Sequence, residues 1–426
     1  MEAGSIETGS RSISEDCAAV KAAARTLAAS PSAVRNRALA SIAAGLLECT
    51  DSILAANAED LADDHAQGLS EALIDRLRLD RSRIEAMADG VRAVAALDDP
   101  VGEIIETRTL KNGIELSKVR VPLGVVAVVY EARPNVTVDC AALTVKSGNA
   151  ILLRGSSYAE RTNTALAKVV RDSLSEAGLP ADSVVLSTGG GRDQLAELAT
   201  QEGVIDLLIP RGGEGLKNAL KDVATVPVMY AASGNCHIYV HSDADLEMAR
   251  AIVINAKVSR PGVCNAAETL LVDASVATGF LAAVLPDLRD AGVELVGDER
   301  TIAASDGVAV APATQSDWDI EFLELKLAVA VVDDLDTAID HINRHGSGHS
   351  EAIVTRSEEA AERFTTEVDA AAVYVNASTR FTDGFEYEMG AEIGISTQKL
   401  HARGPIGLRE LTTFKYVGRG DGQIRG

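Results

Sequence analysis

The apolar positions of this 426-residue chain change period twice, and the predicted elements follow from those changes. Over the first hundred residues they recur at helical spacing. Ser12-Ile13-Ser14-Glu15 has the spacing of a capping box ahead of an Ala-rich helix running to about Ala29. Ser30-Pro31 predicts a cap and a first-turn proline for a second helix, with Val34, Ala38, Ile42 and Leu46 on one face. Two further helices are predicted over 51–68 and 80–97. At 103 the period shortens to two. Runs at 103–110 and 114–121 flank Lys111-Asn112-Gly113, and Asn-Gly between such runs is a strong hairpin signal. Thr, Glu, Lys and Arg are mixed there with Ile, Leu and Val, so the hairpin reads as half buried. It is an arm toward a second subunit or a plain surface hairpin.

From Gly124 the pattern becomes short apolar runs separated by helical ones. Strands are predicted at 124–130, 150–154, 183–187, 204–209 and 226–231, with helices starting near Pro134, Tyr158, Arg192 and Glu214. A second series follows Asn235, at 237–241, 268–272, 327–332, 352–355 and 371–376, and 410–417 alternates as a last strand. Continuous apolar strands with helical crossovers mean parallel sheets covered on both faces. Such sheets bind ligands at the carboxyl ends of their strands. The fold class is therefore α/β, with two domains of that kind.

Composition narrows the function. At 46% hydrophobic and 24% charged the chain is an ordinary globular protein, and 3% aromatic content leaves aliphatic cores. A net charge of −23 argues against nucleic acid as a partner, because phosphate backbones need a basic surface. The first eleven residues lack the apolar segment of a secretory signal, and the longest apolar run, 121–130, is too short to span a bilayer. Cys17, Cys49, Cys140, Cys236 and Cys264 form neither a disulfide framework nor a CxxC pair, which fits free thiols in a cytoplasm.

The richest stretch for chemistry is Asn255-Ala256-Lys257-Val258-Ser259-Arg260-Pro261-Gly262-Val263-Cys264-Asn265. A helical run breaks at Pro261-Gly262 just before a strand, which puts Cys264 in a tight connection near Lys257 and Arg260. That is a setting for a nucleophilic thiolate, or for a buried structural cysteine. Neither GxGxxG nor GxxxxGK[ST] occurs. Gly189-Gly190-Gly191 and Arg211-Gly212-Gly213-Glu214-Gly215 each follow a strand and open a helix, as phosphate cradles or as turns. Arg154 closes a strand where a ribose or its 2′-phosphate could bind. Asn135, at a helix start, is an oxyanion donor or a cap. His341, His345 and His349 are four apart, but Gly346-Ser347-Gly348 breaks the helix between them and no zinc motif accompanies them. No metal is expected.

The stretch Ser259-Arg260-Pro261-Gly262-Val263-Cys264-Asn265-Ala266-Ala267-Glu268-Thr269 resembles the active-site segment of the γ-glutamyl phosphate reductase family, within the aldehyde dehydrogenase superfamily. Similar resemblance is carried by Tyr130-Glu131-Ala132-Arg133-Pro134-Asn135-Val136-Thr137, by Gly234-Asn235-Cys236-His237-Ile238-Tyr239-Val240 and by the segment from Ala338 to Ile353. Ile209-Pro210-Arg211-Gly212-Gly213 and the segment 390–405 add to it, so that the match runs from about Gly102 to Val417 in the family's order.

The resemblance implies an aldehyde dehydrogenase-like fold of two Rossmann-like domains and an oligomerisation flap. The cofactor domain would be 1–102 with 122–235, the catalytic domain 236–405, and the flap 103–121 with 406–426. It implies NADPH-dependent reduction of L-glutamyl 5-phosphate to L-glutamate 5-semialdehyde, with phosphate released through a Cys thioester. This is the second step of proline biosynthesis from glutamate, run by a cytoplasmic homo-oligomer. Association with the glutamate 5-kinase that makes the labile substrate is left open.

In this reading Cys264 is the nucleophile, and Asn135 with the Cys264 N–H holds the oxyanion. Arg154 falls where the superfamily holds the adenosine ribose, and Ser157 where NAD-preferring members carry Glu, which favours NADP(H). Arg211, Gly212 and Gly213 join the cofactor site, and Glu321 falls where a Glu holds the nicotinamide ribose. Arg260 is a candidate for the leaving phosphate, and Arg380 or Arg403 for the substrate carboxylate. Where hydrolytic members carry a Glu base, this chain reads Tyr230-Ala231-Ala232-Ser233-Gly234. No carboxylate is there to direct water onto a thioester. Two rivals remain: an acylating dehydrogenase using CoA or another acyl phosphate, and a non-catalytic protein that kept the fold.

Overall fold

A computed structural model describes residues 11–63, 69, 71–189, 191–230 and 233–425. Residues 64–68 of the third predicted helix, Gly190 and Ala231-Ala232 lie outside the described residues. The chain divides into two compact units. One is Met1–Tyr230 with Met389–Gly394 and Ile406–Gly426; the other is Ala231–Glu388 with Ile395–Pro405. The division falls at 230/231, five residues before the predicted 235/236 boundary. Met389–Gly394 return to the first unit because Gly390 packs on Leu97 and Gly394 on Arg211, leaving no room for a side chain.

The first unit opens with α1 (Ile13–Ala29), α2 (Ser32–Glu48), α3 (Thr50–Ala62), α4 (Glu71–Leu77) and α5 (Arg81–Ala96). Both halves of the Ser12/Glu15 capping box form. Pro31 is the cap of α2 and not its first-turn residue; the Ser30 hydroxyl instead donates to the Leu27 carbonyl, closing α1. The helix α4 was not anticipated, since seven residues give too few turns for a periodic signal.

The hairpin is β1 (Ile104–Thr109) and β2 (Glu115–Pro122), with Gly113 at φ 86° in the turn. Only β2 is partly covered; β1 is exposed throughout. Then come β3 (Val125–Tyr130), α6 (Asn135–Lys146), β4 (Ala150–Arg154), α7 (Glu160–Glu176), β5 (Val184–Leu186), α8 (Arg192–Ala199), β6 (Leu207–Arg211) and α9 (Glu214–Lys221). Strands β3 to β6 form one parallel sheet in the order β5-β4-β3-β6, so the order reverses between β3 and β6. The predicted strand at 226–231 is not one. Pro227 has no N–H to give a ladder, and the segment keeps a single bridge, Leu208 to Val228.

The second unit contains β7 (Cys236–Val240), α10 (Leu246–Val258), β8 (Ala267–Asp273), α11 (Ala274–Asp290), β9 (Glu294–Gly297), α12 (Glu299–Ala303), β10 (Ala311–Pro312), β11 (Lys326–Val332), α13 (Leu335–His345), β12 (Ser350–Val354), α14 (Glu358–Glu367) and β13 (Ala372–Val375). Its strands pair parallel in the order β10-β9-β11-β8-β7-β12-β13. The sheet has an apolar cluster on each face, one around Ile252, Phe280 and Leu285 and the other around Tyr239, Ile339 and Phe364. A short antiparallel pair, β14 (Ile395–Ser396) and β15 (Gly404–Pro405), belongs to this unit. The last strand, β16 (Thr412–Arg419), returns to the first unit and pairs antiparallel with β2 along Thr412–Arg419, completing a separate three-stranded sheet.

Candidate active site

Cys264 lies in the eight-residue link between α10 (ending at Val258) and β8 (starting at Ala267), half-buried and not on a packed helix face. A turn closed by the Ala266 N–H on the Val263 carbonyl (3.0 Å) shapes the link at the cysteine. Two neighbours fix its backbone. The Cys236 thiol donates to the Cys264 carbonyl at 3.1 Å. A Cβ on Gly234 would fall 1.5 Å from that same oxygen, so only glycine allows the approach.

Asn265, buried, donates from Nδ2 to the Thr382 carbonyl at 2.9 Å, and its own carbonyl accepts from the Thr379 hydroxyl at 2.7 Å. Its Oδ1 accepts from the Arg380 guanidinium, and Arg380 Nε donates to Ser259 Oγ at 3.2 Å. Arg380 therefore stands beside the cysteine loop, close enough for its charge to act on both Cys264 and Arg260; burial lowers its guanidinium from the ordinary range. Arg260 is exposed. Arg403, the other predicted carboxylate cation, pairs at 2.8 Å with Asp369, which also holds Lys399. The structure thus brings Arg260 and Arg380 to the Cys264 loop and engages Arg403 with an acid it shares with Lys399.

Apart from the Arg380 segment, which follows β13, these loops occupy the amino ends of their strands. Gly234 precedes β7, Cys264 precedes β8, Glu321 precedes β11, and Gly346-Ser347-Gly348 precede β12. The carboxyl-end rule for parallel sheets does not locate this cluster. Glu321 Oε1 accepts from the Gly234 N–H at 2.8 Å, which ties the predicted ribose-binding Glu to the glycine backing Cys264. The imidazoles of His341 and His345 lie 4.7 Å apart on α13, while His349 is buried past the break with Nδ1 2.8 Å from Ser350 Oγ. Burial holds His341 down at about 3 and His349 at about 4. Among the described residues no group of three or more His, Cys, Asp or Glu side chains is placed to hold a metal.

Reading the sequence alone named Lys257 only as a cation near Cys264 and missed Glu268, its partner. Both are fully buried, and Lys257 Nζ reaches Glu268 Oε2 at 2.5 Å. The signal was available: Glu268 is an acid near the start of a strand that is buried throughout, and buried charges occur in pairs. Burial raises Glu268 to about 7 and lowers Lys257, each opposed by the other's charge.

In the first unit the carboxyl ends of β4 and β5 border a cavity of about 280 Å³. Arg154, Ser156, Ser157, Ser187, Thr188 and Gly189 line it, with Glu160 as its acid. Arg154 donates to the Gly191 carbonyl at 2.9 Å. A Cβ on Gly155 would meet Asn163 Nδ2 at 2.3 Å, so the floor is backbone. A cation, several hydroxyls and bare backbone fit an anionic sugar phosphate. Arg211, Gly212 and Gly213 are elsewhere, at the ends of β3 and β6. There the Gly213 N–H donates to Glu131 Oε1 at 3.1 Å, so this helix start already holds a carboxylate. Asn135, exposed, opens α6 and donates to Asp139 Oδ2 at 2.8 Å. Burial pushes Asp139 up to about 6, with Asn135 and then Arg211 opposing.

Comparison with known proteins identifies the chain's relatives. The aldehyde dehydrogenase family matches residues 5–305 and 327–416. The γ-glutamyl phosphate reductase of Heliobacterium modesticaldum is 53% identical over 405 residues, covering 95% of this chain and 97% of that protein. That of Thermobifida fusca is 53% identical over 391 residues, covering 92% and 93%. The crystal structure of γ-glutamyl phosphate reductase from Thermotoga maritima superposes with a TM-score of 0.95 at 45% identity, covering 98% of this chain and all of that one.

Proposed function

Because this chain belongs to the aldehyde dehydrogenase family, among the γ-glutamyl phosphate reductases, we propose that it reduces L-glutamyl 5-phosphate to L-glutamate 5-semialdehyde with a nicotinamide cofactor. This is a step of proline biosynthesis. The observation that carries the reading is the Cys264 loop, pinned by Gly234 and Cys236 and faced by a fixed guanidinium, Arg380. A thiolate there attacks the acyl carbonyl, the C–O bond to phosphate breaks, and a thioester remains on Cys264. Arg260 supplies the charge that a departing phosphate requires. Of the two cations considered for the substrate carboxylate, Arg380 is preferred, since it stands beside the Cys264 loop while Arg403 is engaged by Asp369. Asn135 is the amide assigned to the developing oxyanion.

The cofactor, when bound, supplies the hydride. Arg154, Ser156, Ser157 and Thr188 would hold its ribose end, and the cation and hydroxyls there favour NADP(H); Glu321 is assigned to the nicotinamide ribose. The free cysteines suit a reducing cytoplasm. The exposed sheet of β1, β2 and β16 suits a homo-oligomer.

The test is the reverse reaction: NADP⁺ reduction by L-glutamate 5-semialdehyde with phosphate, with CoA in its place, or with neither, each repeated with NAD⁺. Turnover that needs phosphate and prefers NADP⁺ supports the reading. Turnover that needs CoA, or neither acceptor, overturns it.

A further inference from the structure

We propose that the buried Lys257–Glu268 pair is a positioning device, which clasps the base of the Cys264 loop and ties it to the segment carrying Glu321. It rests on Cys264 being the nucleophile. Lys257 lies in the last turn of α10 and Glu268 is the second residue of β8, so their 2.5 Å contact closes the link that contains Cys264. The other oxygen of Glu268 accepts from the Leu323 N–H at 3.2 Å. Leu323 holds a left-handed φ of 57°, a conformation a leucine keeps only where its surroundings enforce it. Its carbonyl lies 3.6 Å from where a Cβ of Gly262 would be, so this segment backs the nucleophile loop. Two residues earlier, Glu321 accepts from the Gly234 N–H at 2.8 Å, and Gly234 abuts the Cys264 carbonyl.

The contacts form a circuit: cysteine loop, Glu268, Leu323, Glu321, Gly234 and back to Cys264. The Phe322 ring lies 6.0 Å from the Lys257 ammonium and 5.1 Å from that of Lys326, which adds weaker ties to the same segment. Stability alone does not account for such a pair, because apolar residues of like volume serve a core as well as a buried salt bridge. What charge adds here is fixed geometry at a loop where a displacement of an ångström is costly.

The experiment uses the full chain with Lys257→Met and Glu268→Leu together. Three quantities are measured: the thermal midpoint, the steady-state kcat and KM, and the rate of iodoacetamide alkylation of Cys264 read by peptide mass spectrometry. The expected result is a cooperative melt near the parent midpoint, kcat lower by about ten-fold with KM for phosphate moved less than about two-fold, and alkylation slowed about five-fold. A cooperatively folded double variant with alkylation and kcat within about two-fold of the parent, or with faster alkylation, overturns the proposal. Should the double variant not melt cooperatively, Glu268→Gln decides. Its midpoint is expected to fall, because the Lys257 ammonium loses its counter-charge. A kcat loss of about three-fold or more, measured well below that midpoint, supports the clasp, and parental kcat there overturns it. Alkylation needs no substrate. A parent without phosphate-dependent turnover would therefore sink the assigned reaction while leaving this inference to be judged on its own.

Discussion

Gly234 shows how closely single residues are specified around the cysteine. Any side chain there collides with the Cys264 carbonyl oxygen, so Gly234→Ala must push the loop aside. Its kcat is expected to fall about 100-fold with the fold retained, as steady-state kinetics beside circular dichroism would show. Asp139 gives a second prediction. Its carboxylate accepts from the Asn135 amide and burial raises it to about 6. As pH falls through that value the carboxyl gains a proton, donates instead of accepting, and no longer fixes which end of the amide is presented. The parent kcat should decline below about pH 6, and Asp139→Asn should remove that limb and lower kcat at neutral pH. A pH–rate profile with an unchanged acid limb in the variant contradicts it. The same shift weakens stability as pH rises from 3.8 to about 6, because the native carboxyl holds its proton more tightly than the unfolded one.

At the scale of elements, α10 delivers the cysteine loop from its carboxyl end, where the helix dipole is negative and disfavours an adjacent anion. The cations around that loop answer this: Arg380 is fixed by Asn265 and Ser259, and Arg260 is near it. The buried pair beneath the loop makes a separate prediction about stability. Glu268→Ala strands an ammonium in the core and should cost about 3–5 kcal/mol in urea unfolding, while the apolar double variant stays near the parent. These elements were unevenly legible in the sequence. Strands such as β3, β4 and β11 declare themselves as unbroken Val, Ile, Leu and Ala runs. The two-residue strands β10, β14 and β15 carry no pattern, being defined by partners remote in sequence. Val226 and Val228 imitated a strand until Pro227 was placed against β6. The cysteine, its loop and the lining residues Arg154 and Ser157 could be named beforehand from motif context. The assembly of that loop at amino ends of strands, and the clasp of Lys257 on Glu268, depend on contacts that spacing does not encode.

At the scale of the whole molecule, no single helix among the described residues is long and apolar enough to cross a membrane. The apolar surface that stands out belongs to the separate sheet. Ile104, Ile105, Phe414 and Tyr416 are all exposed on it, and the proposed homo-oligomer would use them to meet a second copy. Replacing Phe414 and Tyr416 by Asp should shift the chain to a smaller species in sedimentation velocity without lowering its thermal midpoint by more than about 1 kcal/mol equivalent. An unchanged sedimentation coefficient removes the sheet from the assembly. The central claim, however, is the bond to sulfur at position 264. Its most direct test is peptide mass spectrometry of protein given L-glutamate 5-semialdehyde and NADP⁺ without phosphate. One glutamyl group should appear on the peptide containing Cys264, vanish on addition of phosphate, and be absent from Cys264→Ala. An acyl group on another residue, or phosphate-dependent turnover surviving in Cys264→Ala, contradicts the account.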